Sequence, residues 1–375
     1  MKVEFARHNI GSDEIESMVE TLQGTFLTSG PKTKLFESEF AKYLGVKSSI
    51  GMTSWTTAAF LVLKAWGIGP GDEVIVPAMT FIASANIVLH CGANVVMVDV
   101  DRETGNIDLN AVARAITPRT KAIIPVHLYG QMIDLPAMRD LVAGKNIKIL
   151  EDSAHCVEGT RDGYRPGQLS DAAAFSFYAT KNLACGEGGA VATNDEQLIS
   201  DLTLLRLHGM SKSAADRYTK RYSHYDMEAL GYKANMSDIQ AALLLPQLPK
   251  LEKYLQRREA ICSAYEEAFR AHNIEFPIVQ PGVRSARHIF TIWAPRGRRD
   301  EWMSKLQDKE LGVAVNFRPV HLYSFYRETF GYKEGDYPVA EEIGDRTITI
   351  PMYPRMTDTE VDYVIDSVLD VARSE

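Results

Sequence analysis

Residues 71–81 read GDEVIVPAMTF, and residues 121–126 read KAIIPV. Each is a short, near-continuous run of β-branched and aliphatic residues, the pattern of a strand buried on both faces of a parallel sheet. Working outward, strands are expected at Ser48–Met52, Glu73–Val76, Val95–Val98, Ala122–Val126, Lys148–Glu151, Ala172–Phe177 and Ala190–Thr193. Amphipathic segments at Thr56–Ala65, Thr80–Cys91, Asn110–Ile116 and Leu135–Val142 read as helices between the earlier strands. This alternation predicts an α/β/α sandwich around a mixed, mostly parallel sheet. The last two runs, AAAFSF and GAVAT, are separated only by a short loop and are expected to pair antiparallel.

The pattern changes after Ser237. One long helical stretch is expected from there to about Ala271, bent near Pro246 because proline removes a helix hydrogen bond. Ile274–Glu375 reads as a smaller α+β unit closed by an amphipathic helix over Asp358–Ala372. A chain of 375 residues suits two such units: a large domain over 1–246 and a small one over 247–375.

The composition is 45% hydrophobic and 24% charged, that of an ordinary soluble globular protein. A net charge of −8, from 49 acidic against 41 basic residues, argues against a nucleic-acid partner, and Arg296, Arg298 and Arg299 read as a solvated loop. Met1–Asn9 carries charges and no apolar core of a signal peptide, and no run approaches the roughly 18 apolar residues of a membrane span. Cys91, Cys156, Cys185 and Cys262 are scattered, with neither metal-ligand spacing nor a disulfide framework. The expectation is therefore a cytoplasmic protein without a metal site.

Ligands of open α/β sheets bind beyond the carboxyl ends of the strands, and four segments place polar residues there. Residues 52–59, MTSWTTAA, carry a strand end into a helix; free N–H groups make this a phosphate seat or, equally, a plain helix cap using Ser54 and Thr56. Residues 77–81, PAMTF, hold Phe81, which either stacks on a flat ring or joins the core. Residues 150–155, LEDSAH, bury two acids and a histidine, for an internal salt bridge or for pairing with a protonated ring nitrogen. Residues 175–182, FSFYATKN, followed by GEGG at 186–189, put Lys181 just past an apolar strand, where desolvation lowers an amine's pKa and makes it a nucleophile. No G-x-G-x-x-G follows the first strand, which disfavours a nucleotide-binding oxidoreductase.

Taken together with TSGP (28–31), VDVD (98–101), PVHLYGQMID (125–134), HGM (208–210), GYKANMSDIQAA (231–242) and RPVHL (318–322), these segments resemble the DegT/StrS family of sugar aminotransferases over almost the whole chain. The family comprises pyridoxal 5′-phosphate (PLP) enzymes of fold type I, the aspartate aminotransferase-like class. The resemblance implies that Lys181 carries PLP as a Schiff base and shuttles a proton, and that Asp152 keeps the pyridine nitrogen protonated with His155 beside it. It further implies that Phe81 stacks on the ring and that Ser176 and the backbone of Trp55 and Thr56 bind the phosphate. Asn235 matches a residue reaching the cofactor phosphate of a neighbouring subunit, which implies a homodimer. Relatives usually carry a small residue where this chain has Trp55, whose bulk either narrows the sugar pocket or packs away from it. Relatives with histidine at the lysine position are dehydratases, and Lys181 argues against that branch.

The implied reaction moves an amino group from an amino acid, L-glutamate by expectation, to a keto-sugar. The segments 208–210 and 232–235, with Asp216-Arg217-Tyr218 between them, resemble the branch acting on C-4 of nucleotide-linked sugars. So does NFRPVH (316–321), in which Arg318 and His321 either face the sugar or its diphosphate or hold the small domain against the large one. Aminotransfer to a 3-keto sugar or an inosose, and a non-catalytic PLP-binding regulator, are the alternatives.

Overall fold

The computed structural model describes residues 1–211 and 224–374; Asp216-Arg217-Tyr218 lies outside the described residues. Seven strands form one sheet: Ser48–Met52 (β1), Glu73–Pro77 (β2), Asn94–Val98 (β3), Thr120–Ile123 (β4), Lys148–Asp152 (β5), Ala172–Ser176 (β7) and Gly189–Thr193 (β8). The two-residue Thr160–Arg161 (β6) lies outside it, paired with Val283–Arg284 (β9). The sheet order is β1-β8-β7-β5-β4-β2-β3. The neighbours from β7 to β3 pair parallel, whereas β8 runs antiparallel to both β7 and β1. The expected antiparallel pair is present, and β8 also inserts between β7 and the first strand.

The alanine-rich strands sit where helices press on both faces. Ala172 and Ala174 join the core holding Ala58 and Ala59 of Trp55–Ala65 (α3), while Ala173 and Phe175 face the opposite cluster with Phe36 and Phe40. That alternation is the period-2 pleat of a strand. The ring of Phe175 meets Phe40 edge-on with centroids 5.0 Å apart, the geometry that aromatic quadrupoles favour.

Three expected elements differ by more than one residue at an end. The helix expected from Thr80 begins at Ala83; Ser84 in its first turn is hydrogen-bonded at 2.9 Å to Thr80 in the turn before it. Strand β4 stops at Ile123, close before Pro125, which has no N–H to donate. The long helix after Ser237 is broken rather than bent: Asp238–Leu244, a 3₁₀ turn at Leu248–Lys250, then Leu251–Arg270. The break is held by Gln247, whose amide exchanges hydrogen bonds with the backbone of Ala184 at 3.2 and 2.8 Å.

A second core gathers Ile261, Tyr265 and Phe269 of Leu251–Arg270, the antiparallel pair Phe290–Trp293 (β10) and Thr347–Ile350 (β11), and the helices Arg299–Asp308 and Asp358–Arg373. Val3 belongs to this core, tied to Glu310 and Gly312 by backbone hydrogen bonds of 3.1 and 2.9 Å. From there the N-terminal segment leads into the helix Ser12–Gln23, which packs on Asp238–Leu244. Among the described residues, no helix is long and apolar enough to cross a membrane, and no group of three or more potential ligands could hold a metal ion.

Candidate active site

The strand directions decide where the site lies. Strands β1, β2, β5 and β7 point the same way, so Met52, Pro77, Asp152 and Ser176 end on one edge of the sheet; antiparallel β8 starts there, with Gly189 paired to both Met52 and Ser176. A pocket of about 520 Å³ opens at that edge, lined among others by Trp55, Thr56, Phe81, Asp152, His155, Ser176 and Lys181.

One end of the pocket is the start of α3. Ser54 caps this helix, its hydroxyl accepting the Thr57 N–H at 3.1 Å. The cap takes up the third N–H of the helix and leaves those of Trp55 and Thr56 at the positive end of the helix dipole, where anions bind. Cap and anion seat thus coexist in one turn. Gly189 makes the close approach possible: a Cβ there would lie 2.4 Å from the Ser54 carbonyl carbon and 2.6 Å from the Trp55 nitrogen. The Trp55 side chain packs away into the main core, 6% exposed, with no hydrogen-bond partner for its Nε1 among the described residues.

The acids of 150–155 divide their roles. Glu151 is wholly buried, accepting hydrogen bonds from His127 Nε2–H at 2.6 Å and the Gly167 N–H at 2.7 Å, an internal polar network. Asp152, 5% exposed, lines the pocket; its Oδ2 accepts from the Ser84 hydroxyl at 2.8 Å and its Oδ1 from the Ala154 N–H at 3.1 Å. Burial raises its pKa, opposed by those two hydrogen bonds and by the charges of Lys181 and His127. A buried carboxyl with a raised pKa on a pocket wall suits a cationic ring nitrogen, which would restore its ionised form.

Lys181 sits in the turn after β7, its N–H bonded to the Tyr178 carbonyl at 2.9 Å. Burial lowers its pKa to about 8, while the Asp152 carboxylate pulls the other way. Its Nζ is 3.4 Å from Nε2 of His288. His155 accepts the Tyr129 N–H on Nδ1 at 3.3 Å and is held well below the usual histidine range by burial and then by Lys181, so its ring is neutral. Its ring lies 4.4 Å from that of His288 and stacks at 6.0 Å on Phe317. Phe81 is 56% exposed on the pocket wall, 6.0 Å from Phe317, and is not a core residue.

An anion seat at a helix N-terminus, a buried carboxyl, a low-pKa amine and an exposed aromatic face match the phosphate, ring nitrogen, aldehyde carbon and ring face of PLP, so the residues fit this group. The sequence profile of the DegT/DnrJ/EryC1/StrS aminotransferase family matches residues 8–369. This chain belongs to that family. The spore coat polysaccharide biosynthesis protein SpsC of Bacillus subtilis is 44% identical over 371 residues, 97% of this chain and 95% of that protein. Spr1654 of Streptococcus pneumoniae, solved in a PLP form, superposes with a TM-score of 0.93 at 32% identity, covering 100% of this chain and 99% of that one. Helicobacter pylori PseC, an aminotransferase involved in pseudoaminic acid biosynthesis, superposes with a TM-score of 0.93 at 26% identity over 100% of both chains. The chain is accordingly an enzyme of the sugar aminotransferase class, with the fold of PLP-dependent transferases of type I.

Three residues expected in an aminotransferase site of this family do not line the pocket of the single chain. Asn235 pairs with Met52 in an isolated bridge and donates to the Ser29 hydroxyl at 2.7 Å. Arg318 is exposed, donating to the Leu322 carbonyl at 3.1 Å with its guanidinium 5.5 Å over the Tyr323 ring. His321 is fully buried, 2.8 Å from Glu341 and packed on Tyr337. The pocket instead gains residues that sequence reasoning missed: His288, Phe317, Arg258, Tyr353 and the N-terminal residues 5–9. Apart from Phe317, which stands in NFRPVH (316–321), no motif or spacing marks them, because chain segments far apart in sequence bring them in.

Proposed function

We propose that this enzyme transfers the amino group of L-glutamate to the ketone of a nucleotide-linked 4-keto sugar, with PLP tethered to Lys181. The observation that carries this reading is the convergence, in one pocket, of the Lys181 amine at a pKa of about 8, the buried Asp152 carboxyl and the free N–H groups opening α3.

PLP supplies an aldehyde carbon to which amino groups attach and a ring that draws off electrons. The chain does the rest. Trp55 N–H, Thr56 N–H and the Ser176 hydroxyl hold the phosphate. Asp152, ionised, keeps the ring nitrogen protonated; Ser84 and the Ala154 N–H fix its orientation. Phe81 and His155 confine the ring. Lys181, with a pKa near physiological pH, is available as a neutral amine that would take the α-proton of the donor and deliver it to the carbon that PLP supplies as its aldehyde.

A second copy of the chain completes the site in this reading. The Asn235 Oδ1 is buried without a partner among the described residues, and the helix Ser12–Gln23 exposes Ile15, Val19 and Leu22, an apolar stripe at helical spacing. Both features support a homodimer in which Asn235 reaches the partner's phosphate seat. A division into domains near residue 246 is likewise proposed: the second core draws on residues 261–371 together with Val3, while Trp293, Val320, Tyr326, Ala340 and Ile343 pack into the main core. Arg318 remains a proposed sugar or diphosphate contact through its exposed fork; His321, fully buried against Glu341 and Tyr337, takes the alternative role of holding chain segments together. The cytoplasm is the proposed compartment, in keeping with four free, buried thiols.

The test is a panel of UDP-, dTDP- and GDP-linked 3-keto and 4-keto sugars, together with an inosose, supplied with glutamate. Formation of 2-oxoglutarate and an aminated 4-keto nucleotide sugar is expected. Turnover confined to 3-keto sugars or the free cyclitol would refute the substrate assignment, and no turnover on any ketone would favour a binding role.

A further inference from the structure

From Lys181 a chain of buried polar groups runs along the pocket wall, with His288, Asn182 and Arg258 on the lining itself. Nζ of Lys181 is 3.4 Å from Nε2 of His288, and Nδ1 of His288 is 3.0 Å from Oδ1 of Asn182. The Asn182 amide nitrogen donates to Oε2 of Glu158 at 2.8 Å and to the Ala286 carbonyl at 3.0 Å. Glu158 in turn forms an ion pair with Arg258, both side chains at most 1% exposed.

This order of partners settles where the protons sit. Both donors of the Asn182 amide are spent on a carboxylate and a carbonyl, so its oxygen faces His288. That oxygen only accepts, so Nδ1 of His288 carries the hydrogen, and Nε2 has its lone pair directed at Lys181. Burial first, then Lys181, His155 with its ring 4.4 Å away, and Arg258 of the helix Leu251–Arg270 hold this imidazole well below the usual histidine range and so neutral; the Asp152 and Glu158 carboxylates, the partners of Lys181 and Arg258, pull the other way but do not prevail.

We propose that His288 is a positioning residue for Lys181: its Nε2 accepts one N–H of the amine and so turns the amine's own lone pair toward the pocket. The proposal rests on Lys181 being the amine that tethers PLP and moves the proton. A neutral amine has a single lone pair, and without an acceptor on the pocket wall to hold one of its N–H groups that lone pair points into the open pocket only part of the time. The Asn182–Glu158–Arg258 chain locks the imidazole in the accepting tautomer, as an outer carboxylate or amide fixes the histidine of other catalytic pairs.

Two measurements test this on the whole protein freed of cofactor. The first is a long-range proton–nitrogen correlation spectrum with ¹⁵N-labelled histidine, using His288→Gln to assign the signals. It should show His288 protonated on Nδ1 and bare on Nε2 through neutral pH; the opposite tautomer overturns the proposal. The second is the rate of PLP capture against pH, followed by visible absorbance. His288→Phe keeps a ring but removes the acceptor, and should lower the plateau rate about tenfold, the scale of one hydrogen bond. Its midpoint should also fall below that of the natural chain, because an acceptor favours the N–H-rich ammonium form. His288→Gln should restore most of both. Natural plateau and midpoint in His288→Phe would overturn the proposal. If its melting curve shows that His288→Phe does not fold, the tautomer of the unsubstituted protein decides alone. Borohydride mapping of the captured PLP tests Lys181 separately, so failure of that reading shows as a tag elsewhere while the tautomer stands.

Discussion

The Ser84 hydroxyl donates to Oδ2 of Asp152 across 2.8 Å, joining the first turn of the helix after β2 to the end of β5. Because Thr80 is in turn hydrogen-bonded to Ser84 at 2.9 Å, the carboxyl is fixed before any cofactor arrives. Asp152→Asn preserves an acceptor for Ser84 but cannot supply the anion that a protonated ring nitrogen requires. Turnover should fall by about 10²-fold or more, roughly 3 kcal/mol of barrier, while PLP affinity changes far less. Single-turnover absorbance with glutamate and a PLP titration read the two quantities. Near-natural turnover would remove Asp152 from the site.

Burial sets the Lys181 amine at about 8 rather than at the ordinary lysine value. Only the neutral amine attacks an aldehyde, so PLP capture by the cofactor-free protein should rise with pH through a midpoint near 8 and level off above it. The sign follows from desolvation, which disfavours the charged form and frees the base at lower pH. Borohydride reduction and peptide mapping should put the pyridoxyl group on Lys181, and Lys181→Ala should abolish transamination. A midpoint near the usual lysine value would show that the amine is solvated.

How much of this was legible beforehand depends on how local the cause is. Runs such as Glu73–Pro77 and Ala172–Ser176 declare themselves because helices cover both faces, and Lys181 and Asp152 stand in contiguous motifs at strand ends. The placement of β8 between β7 and β1 was not legible, since one partner follows a short loop while the other comes from a strand about 140 residues earlier. The helix break around Pro246 depends on Gln247 meeting Ala184, a tertiary contact no periodicity encodes. His288 is a lone histidine ahead of an apolar strand, and only the fold brings it to Lys181.

Glu158 and Arg258 form a buried ion pair, and removing one partner leaves the other charge without compensation. Glu158→Gln should lower stability by about 3–5 kcal/mol, read from the denaturant midpoint. The exposed pair Arg298–Glu301 is the internal comparison: Glu301→Gln should cost less than about 1 kcal/mol. Equal effects at the two positions would show that the buried pair is solvated.

If the partner's Asn235 completes the phosphate site, cofactor affinity and assembly are linked. Sedimentation should give a dimer at about twice the 41.8 kDa chain mass. Asn235→Ala should weaken PLP binding, and dilution to monomer should release the cofactor. A fully active monomer would refute a shared site.

Gly189 offers a test that separates the phosphate seat from the rest of the pocket. A Cβ at this position would lie 2.4 Å from the carbonyl carbon of Ser54 and 2.6 Å from the Trp55 nitrogen. Both are backbone atoms of the turn that presents the free N–H groups, so no flexible side chain is there to move aside. Gly189→Ala must therefore displace the start of α3 from the edge of β8, at a cost of about 1–3 kcal/mol typical of overpacking. The displacement falls on the groups proposed to hold the phosphate, while Asp152 on β5 and Lys181 lie on other segments. Affinity for PLP should consequently drop about tenfold or more, or roughly 1.4 kcal/mol. Affinity for pyridoxal, which has the same ring and aldehyde but no phosphate, should change much less. Equal losses for the two ligands would mean that the substitution disturbs the whole pocket and that the first turn of α3 is not the phosphate seat.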